Sequence, residues 1–293
     1  MNIYDCTTFY SEKMMLNLRF NILNKNVHKF IVVESSFSHS GEKKNFNFNI
    51  EDYPQFKEKI IYLKIENEPI GLYKDVEKLK KPFYKRLNSI KRIEQSYDYM
   101  MRGIKDAHDE DLIIISDNDE IPNLNSNKFK KNNKKFIIFK QLLFYYKFNL
   151  FHELMPWFGS KACKKKKLSS PQWLRNVKSK DYPNWRFDLF FSKKKYTNNY
   201  YVENGGWHFT NIRTPIELEK KLLKFAHHFE YEQSGLNIED LRKMMKERKV
   251  VYDHSVDQKG YKWSGNFQLE KIKKSLLPAY VYNNEEKYKD WLD

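Results

Sequence analysis

Three acidic residues in one short stretch carry the most chemistry in this chain. In LIIISDNDEIP (112–122) an apolar, mostly β-branched run ends in Asp117, Asn118, Asp119 and Glu120, and Pro122 follows. In an extended segment, side chains two apart project to the same side, so Asp117 and Asp119 would aim together. Carboxylates that converge without a cationic partner repel, and a divalent cation relieves the repulsion. Oxygen ligands suit Mg²⁺ or Mn²⁺, which commonly bridge to nucleotide phosphates. A solvated turn is the alternative for any single Asp-x-Asp triplet. An EF-hand calcium loop is excluded, because its central glycine and terminal glutamate are missing. The second stretch is GGWHF (205–209). Two glycines allow close backbone approach, Trp207 offers a flat face for a sugar ring, and His208 is a candidate metal ligand or general base. The plainer reading is a buried strand with one satisfied histidine.

These residues need elements to hold them. NIYDC (2–6), ending near Asp5, FIVVE (30–34), ending in Glu34, KIIYLKI (59–65) and DLIIIS (111–116) read as buried strands. A helix capped by Ser11 carries Met14, Met15, Leu18, Ile22 and Leu23, and a longer one over 86–105 carries Leu87, Ile90, Ile93, Tyr97, Met101 and Ile104. Continuous apolar strands alternating with helices predict an α/β fold with an open, mostly parallel sheet covered on both faces. Ligands bind outside the carboxyl ends of such strands, where Asp117–Glu120 falls.

The second half reads as β-rich, then helical. KKFIIFKQLLFYYKFN (134–149) is one long strand or two joined by a bend, and RFDLFFS (186–192) and NYYVENGGWHFT (199–210) are aromatic β segments. Thr214-Pro215-Ile216-Glu217 is a capping box opening a helix with Leu218, Leu222, Phe225 and Phe229, and another helix starts after Asn237. With no repeat and no Gly/Ser linker, one domain over 1–293 is expected, with a nucleotide-sugar-binding half (1–122) and an acceptor-side half (123–293).

Composition bounds the partners. Hydrophobic residues make up 40% and aromatics 16%, which excludes a disordered tail. The net charge of +16 suits nucleic acid, a membrane surface or a phosphorylated substrate, or reflects AT-rich coding bias. The lysines are spread along the chain, and the dense cluster Lys164–Lys167 reads as a solvated loop. Cys6 and Cys163 are too few for a disulfide framework, which points to a reduced compartment. The start MNIYDCTTFY has no secretory character and no window suits a membrane span, so a soluble, cytoplasmic protein is expected.

Five stretches, taken in order, resemble glycosyltransferase family 17, a family of β-1,4-N-acetylglucosaminyltransferases: IYDCTTFYSEKMMLNLR, KFIVVESSFSHSGEKK, MMRGI with DEDLIIISDNDEIP, NGGWHFTN, and KLLKFAHHFEY. The resemblance implies a GT-A type fold, a divalent metal (Mn²⁺ or Mg²⁺) on a nucleotide-sugar diphosphate, inverting transfer, UDP-GlcNAc as default donor and a glycan acceptor. Asp117 and Asp119 match its Asp-x-Asp positions, with Asp119 the closer to metal. His208 matches its Trp-His motif and joins them as a metal ligand. Asp5 and Glu34 fall where such folds hold uracil and ribose, and Lys44, Asn118 and Arg175 (in WLRN) complete the donor-binding set. Trp207, Lys221 and His227 fall on the acceptor side.

In place of the family's Gln-Arg-Asn triplet stands Ser96-Tyr97-Asp98, which leaves the donor sugar open. The chain is expected to do without the N-terminal anchor of the Golgi relatives, in which case the implied acceptor need not be a secretory glycan. A carboxylate should serve as general base, and Asp188, Glu203 and Glu230 are the candidates, Asp188 having an ion pair with Arg186 or Arg175 as its alternative. Trp157, Trp173, Trp185, Tyr145 and Tyr146 line a glycan groove or belong to the core. Two other functions compete: a basic nucleic-acid-binding protein or metal-dependent nuclease, and an inactive, glycan-binding family member. The diffuse lysines and the lack of a nucleic-acid motif argue for a transferase with no nucleic-acid partner, and peripheral membrane contact stays open.

Overall fold

The computed structural model describes residues 1–74, 82–126, 129–131, 133–153, 155–180, 182–183, 185–189, 191–197, 199–224, 228–254 and 262–293, without the side chains of 82, 131, 224 and 228–230. The first half runs β1 (Ile3–Phe9), α1 (Lys13–Leu23), β2 (Lys29–Ser35), β3 (Ile60–Ile65), α2 (Pro82–Asp98), β4 (Leu112–Ser116) and β5 (Glu120–Pro122). There follow β6 (Ile137–Phe139), β7 (Leu142–Tyr145), β8 (Leu150–Phe151), β9 (Lys161–Lys164), α3 (Pro171–Asn176), β10 (Tyr200–Val202) and β11 (Gly206–Thr210). The remainder is α4 (Pro215–Lys224), α5 (His228–Ser234), α6 (Ile238–Lys246), β12 (Lys249–Val250), β13 (Phe267–Gln268), β14 (Glu270–Lys271), α7 (Ala279–Tyr282) and α8 (Glu285–Tyr288).

Seven strands form one sheet in the order β10-β6-β9-β4-β1-β2-β3. Its ladders are parallel except the two that β9 makes with β4 and β6. Strand β4 shows why the apolar runs are continuous. Its Leu112 and Ile114 enter one core with Leu16, Leu18 and Phe20 of α1, while Ile113 and Ile115 enter another with Tyr97 of α2, Met100 and Leu174 of α3. A strand covered on both faces has no side to leave polar. The second sheet, β14-β8-β7-β11-β5, is parallel only between β7 and β11. The molecule is therefore a mixed α/β fold, mostly parallel in its larger sheet alone.

Several sequence expectations need correction. Strand β1 does not end near Asp5: pairing with β2 and β4 continues through Thr7, and with β2 to Phe9, which leaves Asp5 mid-strand. Residues 134–149 hold two strands that belong to different sheets, parting at Lys140 and Gln141. RFDLFFS reads as β, but Phe187–Leu189 is a single 3-10 turn and none of the stretch's described residues pairs in a ladder. Helix α1 begins at Lys13 with Glu12 at the cap and no side-chain cap bond from Ser11. The longer helix ends at Asp98 and passes into a 3-10 turn, Tyr99–Arg102. Both capping signals hold: Thr214 and Glu217 bond reciprocally, as do Asn237 and Asp240. Among the described residues no helix is long and apolar enough to cross a membrane.

Candidate functional site

The carboxyl ends of β1, β2 and β4 open on a cavity of about 720 Å³. Each parallel strand sends its following loop there: Tyr10–Glu12 after β1, Phe37 and His39 after β2, Asp117–Asp119 after β4. The facing wall comes from β11, α4 and α6. Of the candidate residues, Asp117, Asn118, Asp119, Arg175, His208 and Lys221 all line it.

The 117–119 segment is a tight turn and not an extended run, since the Glu120 N–H donates to the Asp117 carbonyl at 3.1 Å. The two aspartates therefore do not converge. Asp117 accepts from the Tyr97 hydroxyl and pairs with Arg175, whose Nη2 lies 3.3 Å from Oδ2. The Arg175 guanidinium also sits 4.7 Å from the Tyr97 ring centre, a cation–π arrangement. Asp117 and Glu120 hold the guanidinium's pKa up, Asp117 most strongly. Asp119 turns the other way, its Oδ1 3.5 Å from Nε2 of His208. Burial would push the Asp119 carboxyl up, but His208 and then Lys221 outweigh it and hold the carboxyl well below the usual range. Burial likewise presses His208 down, and Asp119 overcomes it, so its pKa is raised.

A buried frame fixes this turn. Arg19 of α1, fully buried, forks onto Asp5 with Nη2 2.6 Å from Oδ1 and Nε 2.7 Å from Oδ2. Its Nη1 then donates to the carbonyls of Glu120 at 2.7 Å, Asp117 at 3.2 Å and Asn118 at 3.5 Å. Glu120, also buried, accepts from the Asp117 N–H at 2.8 Å and from Trp157 Nε1 at 2.7 Å. Its pKa is raised, first by burial and then by Asp117. Gly159 packs against that carboxylate so closely that a Cβ would collide with it.

His208 reaches the turn through β11. His208 pairs with Glu120 of β5, and the Phe209 N–H donates to the Asp119 carbonyl at 2.9 Å. Gly206 has φ +128°, and a Cβ there would strike the β5 backbone. The double glycine thus lets the second sheet approach the acidic turn. Trp157 lies against the His208 ring, centroids 4.4 Å apart. Outside the cavity lining, Lys161 of β9 donates to the carbonyls of Arg175 at 2.7 Å and Val177 at 2.5 Å. Burial pulls the Lys161 pKa down to about 8.

Other candidates lie elsewhere. Asp5 and Glu34 do not line the cavity. The Glu34 carboxylate is fully buried, accepting from Lys44, from the N–H groups of Asn47 and Phe48, and from Tyr62. Lys44 serves that carboxylate, so all three are parts of the frame. Trp207, one residue out of phase with His208, faces away from the cavity and donates to the Leu276 carbonyl at 2.8 Å. Glu203 pairs with Lys140 at 3.0 Å, and Asp188 with Arg186 at 2.8 Å and Lys195 at 2.7 Å, both outside the cavity. His227 and the Glu230 side chain lie outside the described residues. The residues missed include Glu12, His39, Arg92 and Arg213, all on the cavity wall, where Tyr97 of the Ser96-Tyr97-Asp98 segment also stands. The strand-edge rule points to the loops after β1 and β2, and hence to Glu12 and His39.

Residues 1–172, more than half the chain, match the sequence profile of glycosyltransferase family 17. The chain belongs to this family. Membership makes it a glycosyltransferase, and the matched residues include the acidic turn but not Arg175, His208 or Lys221, which the fold brings beside it. No curated protein matches the chain. Eight chains of known structure match. One is HddC from Yersinia pseudotuberculosis, 11% identical, with 71% of this chain and 91% of that chain covered at a TM-score of 0.34.

A divalent cation can be tested against the side chains of this site. Two ligands held about 2.1 Å from one ion at a right angle stand about 3 Å apart, close to the separation of Asp119 and His208. Among the described residues no three His, Cys, Asp or Glu side chains are grouped to hold an ion alone. An ion of the Mg²⁺ class takes one or two carboxylates and fills its shell with phosphate oxygens and water, so the Asp119 carboxylate could meet it, with a neutral His208 Nε2 beside it. Asp117 is not part of that pair, because Tyr97 and Arg175 occupy its carboxylate.

Proposed function

We propose that this family 17 enzyme is a metal-dependent, inverting transferase that moves a sugar from a UDP-sugar, UDP-GlcNAc by default, onto a hydroxyl of a glycan. The observation that carries the reading is the facing pair Asp119 and His208 at the carboxyl edge of the parallel strands, with Arg175 and Lys221 on the same cavity. The placement follows the rule for open α/β sheets and suits a GT-A enzyme. When bound, Mn²⁺ or Mg²⁺ would offset the charge that builds on a departing diphosphate. Asp119 and His208 would hold it.

Arg175 and Lys221 would flank the phosphates from either side of the turn. Asp117 orients the Arg175 guanidinium, and Lys161 beneath holds the backbone carrying it. Lys221 donates to Asn211 Oδ1 at 3.1 Å, which aims its ammonium along the cavity wall. On the opposite side Trp157, Tyr252 and Trp263 offer flat faces to an acceptor sugar. Tyr97, in the segment that departs from the family's triplet, touches both Asp117 and Arg175, so this departure would act on the donor.

A thermal-shift screen with UDP-, GDP-, dTDP- and CMP-sugars, each with Mn²⁺ or EDTA, tests the reading. A ligand at a hundred times its dissociation constant adds about 2.7 kcal/mol of stability. The expected result is a rise in Tm for UDP-sugars with Mn²⁺ only. No rise with any nucleotide, or equal rises in EDTA, would overturn it.

A further inference from the structure

None of the described residues between Lys178 and Lys195 lines the cavity, yet this excursion carries several large apolar side chains that face solvent. Among the described residues, eleven large apolar side chains stand exposed, and three of them crowd into seven residues: Trp185 at 77%, Phe187 at 81% and Phe191 at 89%. Isolated exposed apolar residues are ordinary, whereas a cluster on one projecting segment marks a contact surface. The base of the excursion is firmly tied. The Lys178 N–H donates to the Lys194 carbonyl at 2.7 Å, and Trp173 Nε1 to the Lys193 carbonyl at 2.7 Å. Tyr196 then packs on Phe136 of the core.

Charge surrounds the aromatics. Residues 178–195 hold six basic side chains and two acidic ones, a surplus of four. One of the two acids, Asp188, is already answered by Arg186 and Lys195. Lys178, Lys180, Lys193 and Lys194 are exposed. Most of each of the three rings is open to solvent, whereas rings that stack nucleic-acid bases line a groove. Aromatic rings that enter a bilayer interface, flanked by cations drawn to anionic headgroups, are the chemistry of peripheral membrane attachment. We propose that this excursion docks the protein onto an anionic membrane surface, with Trp185, Phe187 and Phe191 entering the interface and the flanking lysines facing the headgroups. It lies beyond the residues that match the family, and it stands whether or not the cavity transfers a sugar.

The test is co-sedimentation of the full chain with vesicles of phosphatidylcholine alone or mixed with phosphatidylglycerol. Binding is expected to the mixed vesicles and to weaken as salt is raised. The W185S/F187S/F191S variant should bind about tenfold more weakly or worse at unchanged Tm, and K193Q/K194Q should lose much of the salt dependence. Brominated lipid should quench emission of the wild type but far less that of W185F. Failure of the wild type to bind either vesicle, undiminished binding by the triple serine variant, or binding to single-stranded RNA in preference to vesicles would each overturn the proposal.

Discussion

The cavity has two walls built on different principles. The wall at the ends of β1, β2 and β4 stands on parallel ladders and on a fully buried ion pair that reaches three carbonyls of the acidic turn. The facing wall stands on a mostly antiparallel sheet of short strands and on aromatic contacts, Trp157 on His208, and Tyr252 on Trp263. The first places charges before any ligand arrives, as binding a diphosphate requires. The second contributes His208 and Lys221, but is otherwise mostly rings and aliphatic side chains, which can adapt to a partner by rotation. Pre-set charge and adaptable surface thus meet across one cavity, and the 117–120 turn is where the two sheets join.

Breaking the buried pair tests that contrast with the largest effect. Arg19→Ala leaves Asp5 charged in the core and ungrips the turn, so it should cost about 3–5 kcal/mol. Trp157→Phe keeps the ring against His208 and loses one hydrogen bond to Glu120, so it should cost only about 1–3 kcal/mol. Urea unfolding of the two variants checks the order, and equal losses would mean the walls do not differ. Gly159→Ala drives a methyl group into the Glu120 carboxylate, a strain of about 1–3 kcal/mol. Because Glu120 holds the Asp117 N–H, this variant should also weaken donor binding, measurable by the Tm rise that a UDP-sugar produces. A variant that unfolds more readily yet keeps that rise would separate the frame from the site.

The last test is a titration. Burial pulls the His39 pKa from 6.5 down to about 4, with Asp117 opposing and Arg175 assisting. Between those two values the unfolded chain takes up a proton that the fold refuses, so stability falls as pH drops through this window. His39→Asn should flatten that part of the stability profile, read by urea midpoints at stepped pH. An unchanged slope would show that His39 is not the group responsible.

Much of the first wall was legible because its signals are local. The β-branched run before Asp117 marks a buried strand, and in the facing wall too the local caps at Thr214-Pro215 and Asn237 mark the starts of α4 and α6. Asp5 misled, because a polar residue in an apolar run reads as a strand end. Only Arg19, fourteen positions on, explains how a carboxylate can sit mid-strand. Asp117 and Asp119 misled for a related reason. Two-residue alternation holds in an extended chain, and the bond closing Glu120 onto Asp117 turns them to different partners. RFDLFFS has strand composition, yet its described residues join no ladder, and Phe187 and Phe191 stay exposed. The second wall was the hardest to read, since Trp157, Tyr252 and Trp263 meet only through tertiary packing.

The most direct test of the central claim is calorimetric titration of UDP with Mn²⁺ into the wild type, Asp119→Asn and Asp117→Asn, repeated in EDTA. Wild-type binding should require Mn²⁺, and Asp119→Asn should abolish it while the chain stays folded at the assay temperature. Asp117→Asn should weaken it through Arg175 while the need for Mn²⁺ persists. Undiminished binding by Asp119→Asn, or binding that ignores the cation in the wild type, would contradict the account.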